Sequence, residues 1–295
     1  MYCDLHTHST ASDGTDAPGD LPMLAKQAGL SAIALTDHDT TDGLAEFLAA
    51  AKLARIKAVP GIELSADPAI LHAESDADTD QPPRLGTLHI LGYFIQPDSP
   101  DLAEVQANLR EAREQRNPQM IVRLNELGMD IHYDEVIEVA GGNIIGRPHI
   151  GQVLMQKGYV KSIHEAFSRY IGGQGEAYVR KDRLSAKDAI AAIHDADGLA
   201  VLAHPTQLGL GSAIELEHAV AKLTSLGLDG IETRHSDHDP RDSAQFSKLA
   251  TNLDLLTTGG SDYHGSRKTL ALGSQKVPFD RYEALLEAHR QRMGA

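Results

Sequence analysis

Short apolar runs in this chain keep ending in the same kinds of residue. The run 2–5 leads into His6-Thr7-His8, and 31–35 leads into Thr36-Asp37-His38-Asp39. The run 57–64 carries Glu63, and 86–95 carries His89. Later, 199–203 leads into His204, 229–233 is followed by His235, and 255–258 leads toward Asp262 and His264. Runs of this length read as strands, and patterns between several of them read as helices of about 10–15 residues, which predicts a parallel α/β sheet or barrel. In such a barrel the strand ends converge on one face. The histidines and carboxylates must then meet there. Residues two apart on a strand point the same way, so His6 can act with His8, and Asp262 with His264. Taken singly, any of these histidines is most often an ordinary core or surface residue. Their repetition at strand ends is what points to metal. The expected ligands are His6, His8, Asp13, His38, Glu63, His89, His204, Asp262 and His264. A mixed nitrogen and carboxylate set suits Mn, Fe, Zn or Co better than Ca or Mg.

The rhythm changes after 98. From 99 to 197 the periodicity is mostly helical, with an expected break at Asn117-Pro118, and it reads as a helical insertion. The strand–helix alternation then returns. The expected organisation is a metal-binding barrel formed by 1–98 and 198–295, with 99–197 as a subdomain that covers the substrate. Thr41 is expected to cap a helix over 42–55. Residues 66–84 are polar, acidic and read as a loop.

Charge narrows the partners. There are 27 Lys and Arg against 42 Asp and Glu, a net charge of −15, so nonspecific coating of a nucleic-acid duplex or an anionic membrane is excluded. The segment 141–190 runs against this trend, with Arg147, Lys157, Lys161, Arg169, Arg180, Lys181, Arg183 and Lys187 facing only four acids. The single cysteine, Cys3, cannot form an internal disulfide, which fits a reducing compartment. No apolar run reaches the ~18 residues of a membrane span, and the N-terminus lacks the features of a signal peptide, so the cytoplasm is expected.

The motifs resemble a known family. Asp4-Leu5-His6-Thr7-His8-Ser9 with Asp13-Gly14, Thr36-Asp37-His38-Asp39, Pro60-Gly61-Ile62-Glu63, Leu88-His89-Ile90, Ala203-His204-Pro205 and Gly260-Ser261-Asp262-Tyr263-His264 are similar, in order, to the motifs of the PHP (polymerase and histidinol phosphatase) family. That resemblance implies a distorted (β/α)7 barrel, two to three divalent transition-metal ions with Mn foremost, and phosphoester hydrolysis. Gly146-Arg147-Pro148-His149 in the insertion resembles the branch of nucleoside 3′,5′-bisphosphate phosphatases and ribonuclease AM-type exoribonucleases. There Arg147 would match a phosphate contact.

The chemistry follows from the residue types. Two ions clamped by a shared carboxylate, Glu63, can activate a water as hydroxide for in-line attack on phosphate. Asp262 can receive the proton, and His204 can assist the leaving oxygen. Arg147 and Lys181 are expected to hold a second phosphate, since an Arg fork fits phosphate well. His235 is expected to touch phosphate, and His149 to be structural. Tyr178 or Phe94 could stack on a base. The leading expectation is removal of the 3′-phosphate from a nucleoside 3′,5′-bisphosphate. The alternatives are 5′–3′ exonuclease action on short oligonucleotides, histidinol-phosphate hydrolysis, or a metal-binding regulatory module without turnover. The oligomeric state is not fixed by the sequence.

Overall fold

Side chains along β2 (Leu30–Leu35) alternate between two destinations. Ala32 and Ala34 join Cys3, Leu5, Val59 and Leu91 in one buried cluster, while Ile33 and Leu35 join Leu21, Leu44 and Phe47 in another. Successive strand residues face opposite ways, so the small residues fill a narrow barrel interior and the larger ones pack under the outer helices. Cys3 is buried and unpaired. The computed structural model describes residues 1–71, 86–142, 144–180 and 183–294.

The strands are β1 (Tyr2–Asp4), β2, β3 (Lys57–Ala66), β4 (Leu88–Tyr93), β5 (Leu199–Leu202), β6 (Gly230–Arg234), β7 (Leu256–Gly259) and β8 (Val277–Pro278). They form one sheet in the order β7-β6-β5-β4-β3-β2-β1-β8. The chain past β7 then meets the chain past β1. Leu5 N–H donates to Gly259 O at 3.1 Å, Asp262 N–H to His6 O at 3.0 Å, and His8 N–H to Tyr263 O at 2.9 Å. The result is the expected distorted (β/α)7 barrel with a helical insertion. The two residues of β8 fill the lower part of the seam beside β1.

One strand reverses the expected direction. β4 is antiparallel to both β3 and β5, where a parallel sheet was expected. A parallel partner needs a crossover connection, whereas among the described residues only a short 3-10 turn, Pro68–Leu71, lies between β3 and β4. His89 is therefore the second residue of its strand rather than at its end. The reversal still brings it to the face where the other ligands lie.

The outer helices are α1 (Leu21–Gln27), α2 (Leu44–Ala54), α8 (Ala213–Ser225), α9 (Pro240–Asn252) and α10 (Asp280–Arg292). Thr41 does not cap α2. Its N–H and hydroxyl both engage Gln106 Oε1, at 2.9 and 3.2 Å, and the helix starts only at Leu44. Between β4 and β5 come α3 (Pro100–Glu126), α4 (Tyr133–Ala140), α5 (Arg147–Gln156), α6 (Ile163–Ala166), a π-helical turn (Phe167–Ile171) and α7 (Ala186–Asp195). The break expected at Asn117-Pro118 is absent, and α3 runs through it. Packing at both ends outweighs the hydrogen bond that proline forfeits. Leu102 and Leu109 sit in the barrel's outer core, while Met120, Ile121 and Leu124 anchor a separate cluster whose members run from Met120 to Val179. α7 packs its Ala189, Ile190 and Ile193 into the barrel's outer core.

Of the acidic loop read over 66–84, Ala66 ends β3 and Pro68–Leu71 forms a 3-10 turn; the remainder lies outside the described residues. Among the described residues no helix is long and apolar enough to cross a membrane.

Candidate metal centre

Three buried aspartates pin the loops that carry the ligands. Asp4 accepts from Ser261 N–H at 2.9 Å, Ser261 Oγ at 2.6 Å and Gly273 N–H at 2.8 Å, which fixes the loop leading to Asp262. Asp37 accepts from Ser9 N–H at 2.8 Å, Ser9 Oγ at 2.6 Å and Ser12 Oγ at 2.5 Å, which holds the turn leading to Asp13. Asp39 accepts from Ser65 N–H at 2.7 Å and pairs with Arg113. Gly260 is required where it stands, because a Cβ there would fall 2.3 Å from His6 Cβ. Two ligand residues occupy the left-handed region that L-residues seldom adopt, His204 at φ 25° and Asp262 at φ 53°. Such backbone persists only where surrounding bonds fix it. His204 N–H donates to Glu232 at 2.8 Å, and Asp262 N–H to His6 O.

Glu63 lies at the centre, fully buried. Its Oε1 is 2.8 Å from both His89 Nδ1 and His204 Nε2. Its Oε2 faces His38 Nδ1 at 2.9 Å, His8 Nε2 at 3.3 Å and His6 Nε2 at 3.4 Å. Asp262 Oδ1 adds to the second set, 3.2 Å from His8 Nε2 and 3.6 Å from His6 Nε2. On the far side Asp13 Oδ1 is 3.2 Å from His264 Nε2 and 4.0 Å from His8 Nδ1.

These residues fit divalent metal. His6 Nε2, both ring nitrogens of His8, His38 Nδ1, His204 Nδ1, His235 Nε2 and Glu63 Oε2 are all buried without a hydrogen-bond partner. So many unsatisfied polar atoms in one place are costly unless a ligand takes them up. Ligand atoms gather within 4.8 Å of one another in four overlapping groups: His6/His8/Glu63, His38/Glu63/His89, His8/Asp13/His38/His264, and His6/His235/Asp262. All nine residues expected from the sequence are brought together. His235, expected at a phosphate, is instead buried with Nε2 3.3 Å from Asp262 Oδ2.

The electrostatics are set by buried histidines and carboxylates in close contact. Burial opposes charge on His6, but the carboxylates of Glu232, Glu63 and Asp262 overcome it and hold its pKa well above the usual value. The same contest, with Asp262 and Glu63, raises His8 to about 9. Burial wins at His89, pushed down to about 4. Glu63 and Asp13 resist burial and stay well below the ordinary carboxylate range, Glu63 through His38, His89 and His6, and Asp13 through His264 and His38.

Sequence reasoning missed Glu232. It is fully buried and accepts from His6 Nδ1 at 3.2 Å, which turns Nε2 toward Glu63. Carboxylate–histidine pairs of this kind fix ring orientation in metal sites. The only signal was an acid at the interior register of a predicted strand.

A cavity of about 330 Å³ opens over the centre. Asp13, His38, Glu63, His89, His204, Asp262 and His264 form its floor, and Arg113, Arg116, Arg147, Arg183, Arg267 and Lys268 line its walls. Arg147 leads α5, where His149 Nδ1 accepts Gly146 N–H at 3.0 Å. Its guanidinium lies 5.3 Å from the Phe167 ring and 5.8 Å from that of Tyr178. Among the described residues no carboxylate pairs with Arg147 or Arg116. Burial lowers their pKa values to about 10 and about 9. Lys181 lies outside the described residues. Phe94 is at the opposite end of the barrel, stacked on His289 at 5.0 Å, and is too remote for a base-stacking role.

A family model for the PHP domain matches residues 4–202. The phosphoribosyl 1,2-cyclic phosphate 1,2-diphosphodiesterase of Eggerthella lenta is 32% identical over 267 residues, covering 90% of this chain and 95% of that protein. The 3′,5′-nucleoside bisphosphate phosphatase of Chromobacterium violaceum is 32% identical over 262 residues, covering 88% of this chain and 86% of that protein. An amidohydrolase structure from Chromobacterium violaceum, with bound sulfate and no metal, superposes with a TM-score of 0.83 at 31% identity, covering 98% of this chain and 97% of that one. The family match starts at the first ligand strand and runs through β5, and the relatives carry the likeness over most of the chain, so this protein belongs to the PHP domain family, as a metal-dependent phosphoesterase.

Proposed function

We propose that the protein removes the 3′-phosphate from nucleoside 3′,5′-bisphosphates. The observation that supports this most directly is the division of one cavity into two anion-attracting ends. Candidate ligands for cations crowd the floor, and Arg147, Arg116 and Arg183 stand on the wall with no paired carboxylate among the described residues. A substrate with two phosphates uses both. The two relatives point the same way, since one acts on a nucleoside bisphosphate and the other on a phosphoribosyl cyclic phosphate. A cavity of about 330 Å³ falls in the range for small-molecule sites.

Two to three divalent ions, Mn foremost with Fe, Zn or Co as alternatives, supply Lewis-acid activation of the phosphate and of the attacking water when bound. The residues His6, His8, Asp13, His38, Glu63, His89, His204, Asp262 and His264 would hold them. Glu63 would be shared between ions, since each of its oxygens faces a different histidine set. Asp262 would take the proton released in the attack; without metal its carboxylate is kept ionised against burial by Lys268, His264 and His6. His204, which lines the cavity, assists the departing 3′-oxygen. Arg147 anchors the 5′-phosphate, with Lys181 as its partner. The segment 99–197 acts as the lid, and Arg147 on it lines the cavity above the floor. A free buried Cys3 suits work in the cytoplasm.

The test is phosphate release from a panel: 3′,5′-bisphosphates, 3′- and 5′-monophosphates, short 5′-phosphorylated oligonucleotides and histidinol phosphate. The bisphosphates should give the highest kcat/KM and leave a 5′-monophosphate. Faster release of mononucleotides from oligonucleotides would replace this reading with 5′–3′ exonuclease action.

A further inference from the structure

Most cations on the cavity wall are tied to neutral or remote groups. Arg116 donates to the Asn117 side-chain oxygen at 2.7 Å, Arg183 to the Tyr178 hydroxyl at 2.9 Å, and Arg113 is paired with Asp39. Lys268 differs. Among the described residues it is the one Lys or Arg in an ion pair with a carboxylate of the ligand set, its Nζ meeting Asp262 Oδ2. The backbone that carries this carboxylate is fixed, at φ 53° with its N–H bonded to His6 O. Its other oxygen faces His8 and His6, and Oδ2 also faces His235. The ammonium therefore occupies part of the space that a cation held by His6, His235 and Asp262 would claim.

The base of Lys268 is fixed, while its side chain is partly exposed. The turn before it, Gly265–Arg267, is tied by Ser266 N–H to Thr15 Oγ1 at 2.8 Å. The Lys268 side chain is 38% exposed and lines the cavity beside Arg267. A four-carbon stem with one charged tip can turn without moving the backbone.

We propose that Lys268 is a displaceable counter-ion. Its ammonium neutralises Asp262 in the metal-free protein and gives way when a divalent cation takes that carboxylate. It then turns into the cavity and binds an oxygen of the substrate phosphate. A divalent cation and an ammonium compete for the same oxygens, so binding one expels the other. The expelled charge needs a new anion, and the scissile phosphate is the anion that arrives over the same floor. The second half of the proposal rests on the phosphatase reading above; the first does not.

Chelated protein should be titrated with Mn(II) by calorimetry at one pH, for wild type, Lys268→Met, Lys268→Gln and Arg267→Gln. Removing a charge-assisted contact that metal must break should tighten at least one Mn(II) site about tenfold in both Lys268 variants. Arg267→Gln removes a nearby charge that touches no ligand carboxylate, and should change affinity by less than about threefold. The Lys268 variants should also lose about tenfold in kcat/KM on the bisphosphate at saturating Mn(II). Unchanged Mn(II) affinity in the Lys268 variants, or equal tightening in Arg267→Gln, overturns the counter-ion. Tighter Mn(II) binding with wild-type kcat/KM overturns the phosphate contact. If wild type releases no phosphate from the bisphosphate, the functional reading fails, and the Mn(II) comparison still decides the counter-ion.

Discussion

His6 Nδ1 lies 3.2 Å from Glu232 Oε1, and both side chains are fully buried. One ring nitrogen is thereby committed to a carboxylate and the other to the centre. Glu232 is held at about 2; burial opposes its charge, and His6 and His235 overcome that. A carboxylate depressed in the folded state stabilises it fully above the unfolded value near 4.5, and that contribution disappears as pH falls toward 2. Glu232→Gln should therefore cost the chelated protein about 3 kcal/mol near neutrality, the scale of a broken buried pair. The gap between variant and wild type should close below pH 4.5. Urea unfolding from pH 7 to pH 3 checks this, and a constant gap would show that Glu232 acts through shape rather than charge.

Metal uptake should release protons. His8 is raised to about 9, and His6 is held well above its usual value by the surrounding carboxylates, so the metal-free protein holds protons here that a metal must displace. A ligating histidine must be neutral. Affinity should thus strengthen as pH rises from 6 toward 9. Mn(II) titrations in two buffers of different ionisation enthalpy measure the proton count, and elemental analysis of the loaded protein should give two to three ions per chain. Loading should also raise the melting temperature, and chelation should reverse that.

Asp13→Ala should be milder than His8→Ala. Asp13 belongs to one group of converging ligands, with His8, His38 and His264, whereas His8 belongs also to the group built on His6 and Glu63. Loss of Asp13 should remove one ion and leave measurable turnover. His8→Ala or Glu63→Gln should lower kcat severely, about a hundredfold or more, since each touches two cation sites. Steady-state rates and metal content of the three variants decide the order.

Arg147→Ala should act on substrate choice rather than on chemistry. A charge-assisted phosphate anchor is worth roughly 1.5–3 kcal/mol, so wild type should favour a 3′,5′-bisphosphate over a 3′-monophosphate about 10- to 100-fold in kcat/KM. The variant should lose most of that preference while hydrolysing the monophosphate at nearly the wild-type rate. Equal slowing of both substrates would place Arg147 at the scissile phosphate or in the support of α5.

The cluster of candidate ligands was legible because strand ends announce themselves in sequence. His6 and His8 share a face by the two-residue period, and Asp262 and His264 close the barrel opposite them. The direction of β4 was not legible, since alternation of apolar residues looks the same read either way. His89 reached the right face for a reason the sequence did not display. Glu232 was hidden because one acid in a short strand resembles a solvent-facing residue. Arg113 and Arg116 lie on a long, charge-rich helix, where nothing in sequence separates a cavity-facing arginine from a solvated one. Thr41 looked like a cap because its later partner, Gln106, is contributed by another helix.

The seam between the first and last parts of the barrel also sets a timetable. Asp4 and Ser261 are bonded across 257 residues of chain, and the contacts between His6 and Asp262 cross the same seam. During synthesis the N-terminal ligands emerge first and must wait for nearly the whole chain before their partners exist. Closing so long a loop is slow, and until it closes the N-terminal histidines lack the residues from the last strands that complete the centre. Metal is then a latch on the finished barrel rather than a nucleus for it. Ions added to a ribosome-bound fragment ending before β7 should neither protect it from protease nor be retained, whereas the released full chain should show both.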